Sequence, residues 1–270
     1  MSDTTPVVII TGASSGIGLE IGRFLAKHSF TVYGTSRAPK TDTLDGIALL
    51  PLDVTKKESI NTLVESVIAR SGRIDYLINN AGMGITGPIE ETPDDEMRRV
   101  FETNYFGALE MIRAVLPTMR TQQSGMIINI TSIAGYMGLP YRGIYSATKG
   151  ALGITSEAYR MELKQFNIKM TTVAPGDFAT NIAAGRYHAP IVKGSAYETA
   201  YANTLKLMDD HVDSGMDTQI MAKVVYRIMQ NKNPKVHYRV GYFMQKFSIV
   251  LKRLLPDTWY ERLLLNHYKL

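Results

Sequence analysis

The start of the chain carries its most constraining feature, an apolar run that leads into a string of glycines. Val7–Ile10 is followed by Thr11-Gly12-Ala13-Ser14-Ser15-Gly16-Ile17-Gly18, and apolar residues then recur at spacings of three and four. This order predicts a strand, a tight glycine turn and a helix. A turn without side chains lets the backbone approach a pyrophosphate, and the free N–H groups of the helix start hold the anion.

We therefore expect a dinucleotide to bind at this turn. The residues expected to contact it are Gly12, Ser14, Ser15, Gly16, Ile17 and Gly18. The alternative is a glycine-rich helix start that holds no ligand.

The alternation of strand and helix continues along the chain. Further strands are predicted at residues 30–35, 47–52, 74–79, 126–131, 168–174 and 236–240, and helices at 58–70, 94–119, 145–165 and 218–229. Parallel strands require crossover connections, and helices supply them on both faces of a sheet. We expect an α/β fold: a single Rossmann-type, doubly wound parallel sheet of about seven strands within residues 1–241.

Two segments interrupt this rhythm. Residues 176–216 are too long for an ordinary connection and follow a strand end, where ligands bind in such sheets, so they are interpreted as a substrate lid. Residues 242–270 are predicted to be a basic amphipathic extension with one apolar helical stripe, formed by Phe243, Phe247, Val250 and Leu254. That helix is expected to pack on its own domain or a second subunit, with a membrane-surface anchor as the alternative.

Charge and composition exclude several classes of protein. The net charge of +5 arises in the C-terminal part of the chain, because residues 232–270 hold eight basic and two acidic side chains, and the rest sums to −1. A nucleic-acid partner is therefore not expected. The chain has no cysteine, which excludes disulfides, thiolate zinc sites and a cysteine nucleophile.

Location and metal binding are further expectations. The five histidines lack metal-ligand spacing, so no metal site is expected. No uncharged apolar run is long enough to span a membrane, and apolar-periodic sequence begins by Pro6, so we expect a cytoplasmic protein without a signal peptide.

The residues after the second strand indicate which dinucleotide is bound. Ser36-Arg37 stands where an acid would accept hydrogen bonds from a free ribose diol, and no acid follows until Asp42. A guanidinium instead binds a 2′-phosphate, so the cofactor is expected to be NADP. Arg37 as a solvated loop charge is the alternative. Asp53 and Val54 would lie beside the adenine if the third strand neighbours the second.

A phenol and an ammonium stand one helical turn apart in Tyr145-Ser-Ala-Thr-Lys149. The spacing recurs in Tyr242 and Lys246, within the basic extension, so spacing alone proves nothing. The first pair begins a helix just after a strand that ends near Ser132. Ser132 and Tyr145 are therefore expected to meet at the carboxyl edge of the sheet.

Together with the glycine string, several other motifs resemble the classical short-chain dehydrogenase/reductase family. They are Asn79-Asn80-Ala81-Gly82, Asn104, Ser132, Tyr145 with Lys149, and Pro175-Gly176 with Thr180. The resemblance implies a catalytic tetrad of Asn104, Ser132, Tyr145 and Lys149. It also implies that the cofactor contacts Asn80, Ala81, Gly82, Tyr145, Lys149, Pro175, Gly176 and Thr180, and that Asn104 holds a water linking Lys149 to solvent.

A narrower resemblance, to 17β-hydroxysteroid and retinol dehydrogenases, is carried by Gly138-Leu139-Pro140 and the basic ending. Within the family, many members form tetramers, but the extension leads us to expect a homodimer through the long helices at 94–119 and 145–165.

The chemistry of these side chains suits carbonyl reduction. A phenol has an ordinary pKa of about 10, which makes it an adequate acid and a poor base near pH 7. Lowering that value by about 3 units takes about 4 kcal/mol, which Lys149 and an oxidised nicotinamide would supply together. Ser132 would donate to the developing oxyanion.

We expect an NADP(H)-dependent oxidoreductase acting on a hydrophobic ketone or secondary alcohol, steroid-, retinoid- or lipid-like. The apolar character is inferred from Met137, Leu139 and Tyr141. The alternatives are a membrane-associated reductase of a long-chain 3-keto lipid, similar to 3-ketodihydrosphingosine, and a catalytically idle NADP-binding scaffold.

Overall fold

The structure, a computed structural model, describes residues 5–178, 185–212 and 215–270, with the side chains of 207 and 209–212 excepted. The expected cofactor contact Thr180 lies outside the described residues.

One sheet organises the chain. Its strands are β1 (Val7–Ile10), β2 (Thr31–Ser36), β3 (Thr43–Leu44), β4 (Ile47–Pro51), β5 (Tyr76–Asn79), β7 (Gly125–Ile130), β8 (Ile168–Pro175) and β10 (His237–Val240), and β6 (Ile85–Thr86) pairs separately with β9 (Tyr187–His188). The order across the main sheet is β10-β8-β7-β5-β1-β2-β4-β3. The seven predicted strands all lie in it and run parallel.

The eighth strand was not predicted. β3 has two residues and pairs antiparallel with β4, so it was too short to produce an alternation of apolar and polar positions. The strand order reverses between β1 and β5, which are hydrogen-bonded neighbours. This is the point at which ligands bind in open α/β sheets, and the glycine string lies directly after β1.

Helices cover both faces of the sheet. They are α1 (Gly16–Ala26), α2 (Lys57–Ser71), α3 (Asp94–Phe101), α4 (Gly107–Gln122), α5 (Gly143–Glu162), α6 (Glu198–Val212), α7 (Gln219–Met229), α8 (Phe243–Leu254) and α9 (Asp257–Tyr268). One core cluster packs α2, α4 and α5 on one face of the sheet. The other packs α1 and α7 on the opposite face.

The helix predicted at 94–119 differs from expectation. The helical segments follow one another without a gap, but residues Glu102–Phe106 between α3 and α4 form a π turn. In this turn the Gly107 N–H donates to the carbonyl of Glu102. Apolar periodicity does not reveal an extra residue in one turn. The π turn contains Asn104, and such turns are frequent at functional sites.

The extension packs differently from the sequence interpretation. α8 lies against the short 3₁₀ helix Ile133–Tyr136 through Ile249, which is buried, while Tyr260 of α9 joins the same cluster. The predicted stripe faces away from the protein: Phe243 is 71% exposed and Leu254 76% exposed. The helix therefore packs on its own domain, but not through the stripe, which remains available to a partner.

Candidate active site

The glycine string forms a narrow cradle after β1. Gly12 and Gly16 have φ of 67° and 56°, a left-handed conformation that glycine adopts without strain. A Cβ on Gly18 would lie 2.4 Å from the Gly12 carbonyl oxygen and 2.5 Å from Asn80 Nδ2, so no larger residue fits there. Ser15, the N-cap of α1, makes no side-chain capping bond among the described residues, which leaves first-turn N–H groups open to an anion.

Hydrogen bonds tie this cradle to the turn after β5. Thr11 Oγ1 accepts from the backbone N–H of Asn80 and of Ala81, each at 2.9 Å. Asn80 Nδ2 donates to the carbonyls of Thr11 and Gly12, each at 3.0 Å. The two turns are thereby held together where the strand order reverses. The role of Thr11 was missed, although its place in the string was visible.

A cleft of about 670 Å³ opens above these turns. The expected cofactor contacts that line it are Gly12, Ser14, Ser15, Gly16, Ile17, Arg37, Asp53, Val54, Asn80, Ala81, Gly82, Tyr145, Lys149 and Pro175. Gly18 is not among the lining residues, because it packs α1 against the turn. Gly176 does not line the cleft either. It packs against α8, where a Cβ on Gly176 would lie 2.0 Å from Gln245 Oε1. Arg99 and Thr103 also line the cleft, and no spacing in the sequence indicated them.

Arg37 and Asp53 both line the cleft. β4 is the neighbour of β2, which meets the condition set for Asp53 and Val54. Asp53 accepts from Thr55 Oγ1 at 2.7 Å, and this hydrogen bond is the main cause that holds the pKa of Asp53 below its ordinary value. Lys56 and Arg37 lower the Asp53 pKa further. The exposed Arg37 side chain therefore stands close enough to Asp53 to act on its charge.

Lys149 is the one buried ammonium among the described residues. Its side chain donates to the Ile130 carbonyl at 3.0 Å. Burial lowers the pKa of Lys149, and the nearby phenol of Tyr145 opposes that shift. A Cβ on Gly82 would lie 3.3 Å from Lys149 Nζ and 3.1 Å from Asn104 Oδ1, so both side chains reach the same glycine.

Asn104 is fixed by its own amide group. Its Oδ1 accepts from Met83 N–H at 2.8 Å, and its Nδ2 donates to the Met83 carbonyl at 2.9 Å and to Thr148 Oγ1 at 3.2 Å. The side chain thus joins the turn after β5 to the helix that carries Tyr145. Thr148, which also donates to the Tyr145 carbonyl, was not predicted to take part.

Ser132 follows β7 and caps the 3₁₀ helix Ile133–Tyr136. Its Oγ accepts from Ala134 N–H at 3.1 Å, which leaves the hydroxyl hydrogen free to donate to a ligand. Ala134 packs in one cluster with Tyr145, Ile85 and Val100. The 3₁₀ helix that Ser132 caps therefore packs against α5, the helix that carries Tyr145, and the expected meeting of the two side chains stays a prediction.

The second tyrosine–lysine pair has no such surroundings. Tyr242 caps α8 and is 48% exposed, and Lys246 is exposed beside it. Within the described ranges no three His, Cys, Asp or Glu side chains come together in a way that could hold a metal ion. Nor is any helix in those ranges both long and apolar enough to span a bilayer.

Comparison with known proteins places this geometry in a family. A model of the short chain dehydrogenase family matches residues 6–190. The chain is 38% identical over 253 residues to a 3-ketodihydrosphingosine reductase of Bacteroides thetaiotaomicron, covering 93% of this chain and 94% of the relative. It is 31% identical to retinol dehydrogenase 8 of Bos taurus, covering 89% and 83%.

Solved structures agree in fold. A short-chain dehydrogenase from Streptomyces avermitilis superposes with a TM-score of 0.84 at 31% identity, covering 99% of this chain and 97% of that one. ElxO with NADP bound gives 0.73 at 25% identity, covering 88% and 98%. A Burkholderia phymatum short-chain dehydrogenase/reductase in complex with NAD gives 0.78, with 94% of each chain covered, and at 20% identity it supports the fold alone.

The family model spans most of the chain and a relative of 38% identity spans nearly all of it, in agreement with the resemblance noted in the sequence. The chain is therefore an oxidoreductase that belongs to the short-chain dehydrogenase family.

Proposed function

We propose that this protein is an NADPH-dependent reductase of a hydrophobic ketone. The observation that carries the proposal is Lys149, whose buried ammonium lies between the Ile130 carbonyl and Gly82, one helical turn from Tyr145. A buried cation is costly to maintain, so its presence beside a phenol and a glycine cradle favours a chemical role over a purely structural one.

The residues of the cleft fit a dinucleotide. The cradle excludes side chains at Gly12 and Gly18 and offers N–H groups to a pyrophosphate, and Gly82 leaves room beside Lys149. Bound NADPH would supply a hydride to the substrate carbonyl. Structural neighbours include complexes with NADP and with NAD. Arg37 in the lining of the cleft favours NADP, because a guanidinium pairs with a 2′-phosphate.

The chain's own groups would then handle the proton. Tyr145 would donate its phenol proton to the nascent alkoxide, and Ser132 would donate a hydrogen bond to the same oxygen. Lys149 would hold the ribose hydroxyls and stabilise the phenolate. Asn104, whose amide binds Met83 and Thr148, would keep the turn beside Lys149 in place and take part in a water path to solvent.

An apolar substrate fits the surroundings of Tyr145. Met83, Leu139 and Tyr187 pack in the same cluster as Tyr145. A second candidate is the reduction of a long-chain 3-keto amino alcohol at a membrane surface. Similarity to a 3-ketodihydrosphingosine reductase over nearly the whole chain favours this candidate.

The test is NADPH oxidation by the full chain with a panel of hydrophobic ketones, steroids, retinals and a 3-keto amino alcohol among them. Tyr145→Phe should lose nearly all turnover, at least about a hundredfold, because only the proton donor is removed. NADPH affinity, measured by fluorescence titration, should stay within about threefold. Turnover within tenfold of the unsubstituted enzyme would exclude this mechanism. NADPH binding without turnover of any ketone would favour the idle scaffold.

Assembly and location complete the proposal. We propose a catalytic domain in residues 1–241 with the extension 242–270 attached, and a homodimer through the long helices, where Phe106, Ile154 and Met161 are exposed. The exposed stripe of α8 would contact a membrane surface, since Lys246 and Arg253 lie beside it and would attract anionic lipids. The cytoplasm, which keeps NADP reduced, is the proposed location.

A further inference from the structure

The last helix of the chain, α9, ends near Tyr145, the proposed proton donor. Tyr268 lies on the last turn of α9 and is only 8% exposed. The Arg142 guanidinium lies close enough to this phenol to counteract the rise that burial causes in the pKa of Tyr268. Arg142 Cζ lies 5.5 Å from the centroid of the Tyr145 ring. The terminal helix, Arg142 and Tyr145 are thus neighbours.

The backbone fixes Arg142 in this position. Arg142 is the N-cap of α5, and its carbonyl accepts from Ser146 N–H at 2.9 Å. The preceding residue, Tyr141, has φ of 57°, a conformation that is uncommon for residues other than glycine. Such a conformation persists where the surroundings impose it, and it often accompanies function. It directs the chain so that the guanidinium stands over the phenol ring rather than in bulk solvent.

Two further charged groups complete a polar cluster. Arg186 and Asp177 both act electrostatically on Tyr268. The Arg186 side chain lies against the turn after Gly82, since a Cβ on Gly84 would be 3.0 Å from Arg186 Cγ. Asp177 accepts from Gln245 Nε2 at 2.6 Å. Burial raises the pKa of Tyr268, and Arg142 and Arg186 oppose the rise, so the hydroxyl stays neutral and can donate or accept.

Apolar contacts hold the extension against the same region. Leu139 packs both with Tyr145 and with the cluster that contains Ile249 and Tyr260. The Tyr260 hydroxyl donates to the sulfur of Met137, two residues before Leu139. The extension therefore packs against the loop that leads into α5, the helix that carries Tyr145.

We propose that Arg142 and Tyr268 are specificity-determining residues that bind an oxygen-bearing polar group of the substrate close to its carbonyl. This inference rests on the proposed ketone reduction and deepens it. A guanidinium carries only donors, so the group must accept hydrogen bonds, as a hydroxyl, carboxylate or phosphate does. The substrate would then be an amphipathic ketone, its apolar part beside Met83 and Leu139 and its polar end at the extension.

The experiment compares three long-chain ketones of equal length: an unsubstituted one, one with a hydroxyl beside the carbonyl, and a 3-keto carboxylate. For the full-length enzyme we expect kcat/KM to favour at least one oxygen-bearing ketone by about tenfold or more. Arg142→Met should bring that ratio close to one, mainly through KM. Arg142→Lys should retain part of the ratio, and Tyr268→Phe should reduce it about threefold.

The control is Arg70→Met on the distant helix α2, which should leave the ratio unchanged. The ratio between substrates separates recognition from a general loss of structure, which would lower all three rates together. Equal rates for all three ketones, or an unchanged ratio in Arg142→Met, would overturn the inference and leave the proposed reductase intact. No turnover of any ketone would overturn both.

Discussion

At the scale of single residues, the site depends on a cation held away from water. Lys149 donates to the Ile130 carbonyl, but no carboxylate is recorded beside it among the described residues. Its burial disfavours the charged form, so the fold gives up stability to keep an ammonium beside Tyr145. This is the trade-off expected of a functional position.

Lys149→Met should therefore change how stability depends on pH. Folding lowers the pKa of Lys149 below its unfolded value of about 10.4. Between these two pKa values the unfolded chain binds more protons than the folded protein. The unsubstituted protein therefore gains stability as pH rises through this window. The variant should lack that gain, and it should also lose turnover. Urea unfolding of the cofactor-free protein at a series of pH values measures the difference.

The matched control for this measurement is Lys164→Met, which removes an exposed lysine just after α5. Its difference from the unsubstituted protein should not vary with pH. A pH-independent difference for Lys149→Met as well would contradict the assignment of a desolvated ammonium.

Arg37 offers a second prediction at this scale. Its exposed side chain lines the cleft, and the guanidinium should pair with the 2′-phosphate of NADPH. A charge-assisted bond of this kind is worth about 1.5 to 3 kcal/mol, so Arg37→Ala should weaken NADPH binding at least about tenfold and NADH binding little. Titration of both cofactors tests this. Lys40→Ala, an exposed cation three residues on, is the control; equal losses for both cofactors in Arg37→Ala would refute the role.

At the scale of elements, the segment interpreted as a lid contains a helix attached to the substrate side of the sheet. Tyr201 of α6 is buried, and its hydroxyl oxygen lies 3.0 Å from the carbonyl oxygen of Thr86 and 3.0 Å from that of Ala189, either of which can accept its one hydrogen. β9 pairs with β6, just after the turn that reaches Lys149. This segment is thereby connected to the cleft above the glycine string through the turn at residues 82–86.

We expect cofactor and substrate to stabilise this element. Hydrogen exchange of the amides in α6 should be fast in the cofactor-free protein and slower with NADPH and a ketone bound, while amides in the last turn of α2, at residues 68–71, should change little. The prediction fails if α6 is already as well protected as α4 before any ligand is added.

At the scale of the whole molecule, the described residues include two groups of exposed apolar side chains. One is the stripe of Phe243, Phe247, Val250 and Leu254 on α8, and the other lies on the long helices and includes Phe106, Ile154 and Met161. Exposed surfaces of this kind commonly mark interfaces. Since the two surfaces lie on different elements, variants can separate their roles.

We expect light scattering to give a dimer for the full chain. Ile154→Glu with Met161→Glu should give monomers that still bind vesicles of anionic lipid. Phe243→Ser with Phe247→Ser should keep the dimer and lose most vesicle binding, because about 3 to 5 kcal/mol of apolar transfer is removed if both rings insert. A tetrameric full chain would contradict the proposed assembly. Unchanged vesicle binding in the Phe243 and Phe247 variant would contradict the proposed role of the stripe.

Much of the fold was predictable because its determinants are local. The glycine string, the strand and helix alternation and the Tyr145–Lys149 spacing each lie within a few residues, and together they predicted the parallel sheet, the glycine cradle and the position of the helix that carries Tyr145. The short strand β3 and the π turn at Asn104 were not predictable, because two residues carry no periodicity and one extra residue per turn leaves the apolar pattern almost unchanged.

The sequence by itself therefore determined the family, the sheet and most of the cofactor cradle. Only the tertiary structure decided how α8 is oriented, since an apolar stripe indicates that a helix has two faces but not which of them meets the protein. It also decided that Tyr268 lies near Arg142, because this proximity joins positions far apart in the chain. Such contacts depend on the docking of whole helices, which short-range spacing does not encode.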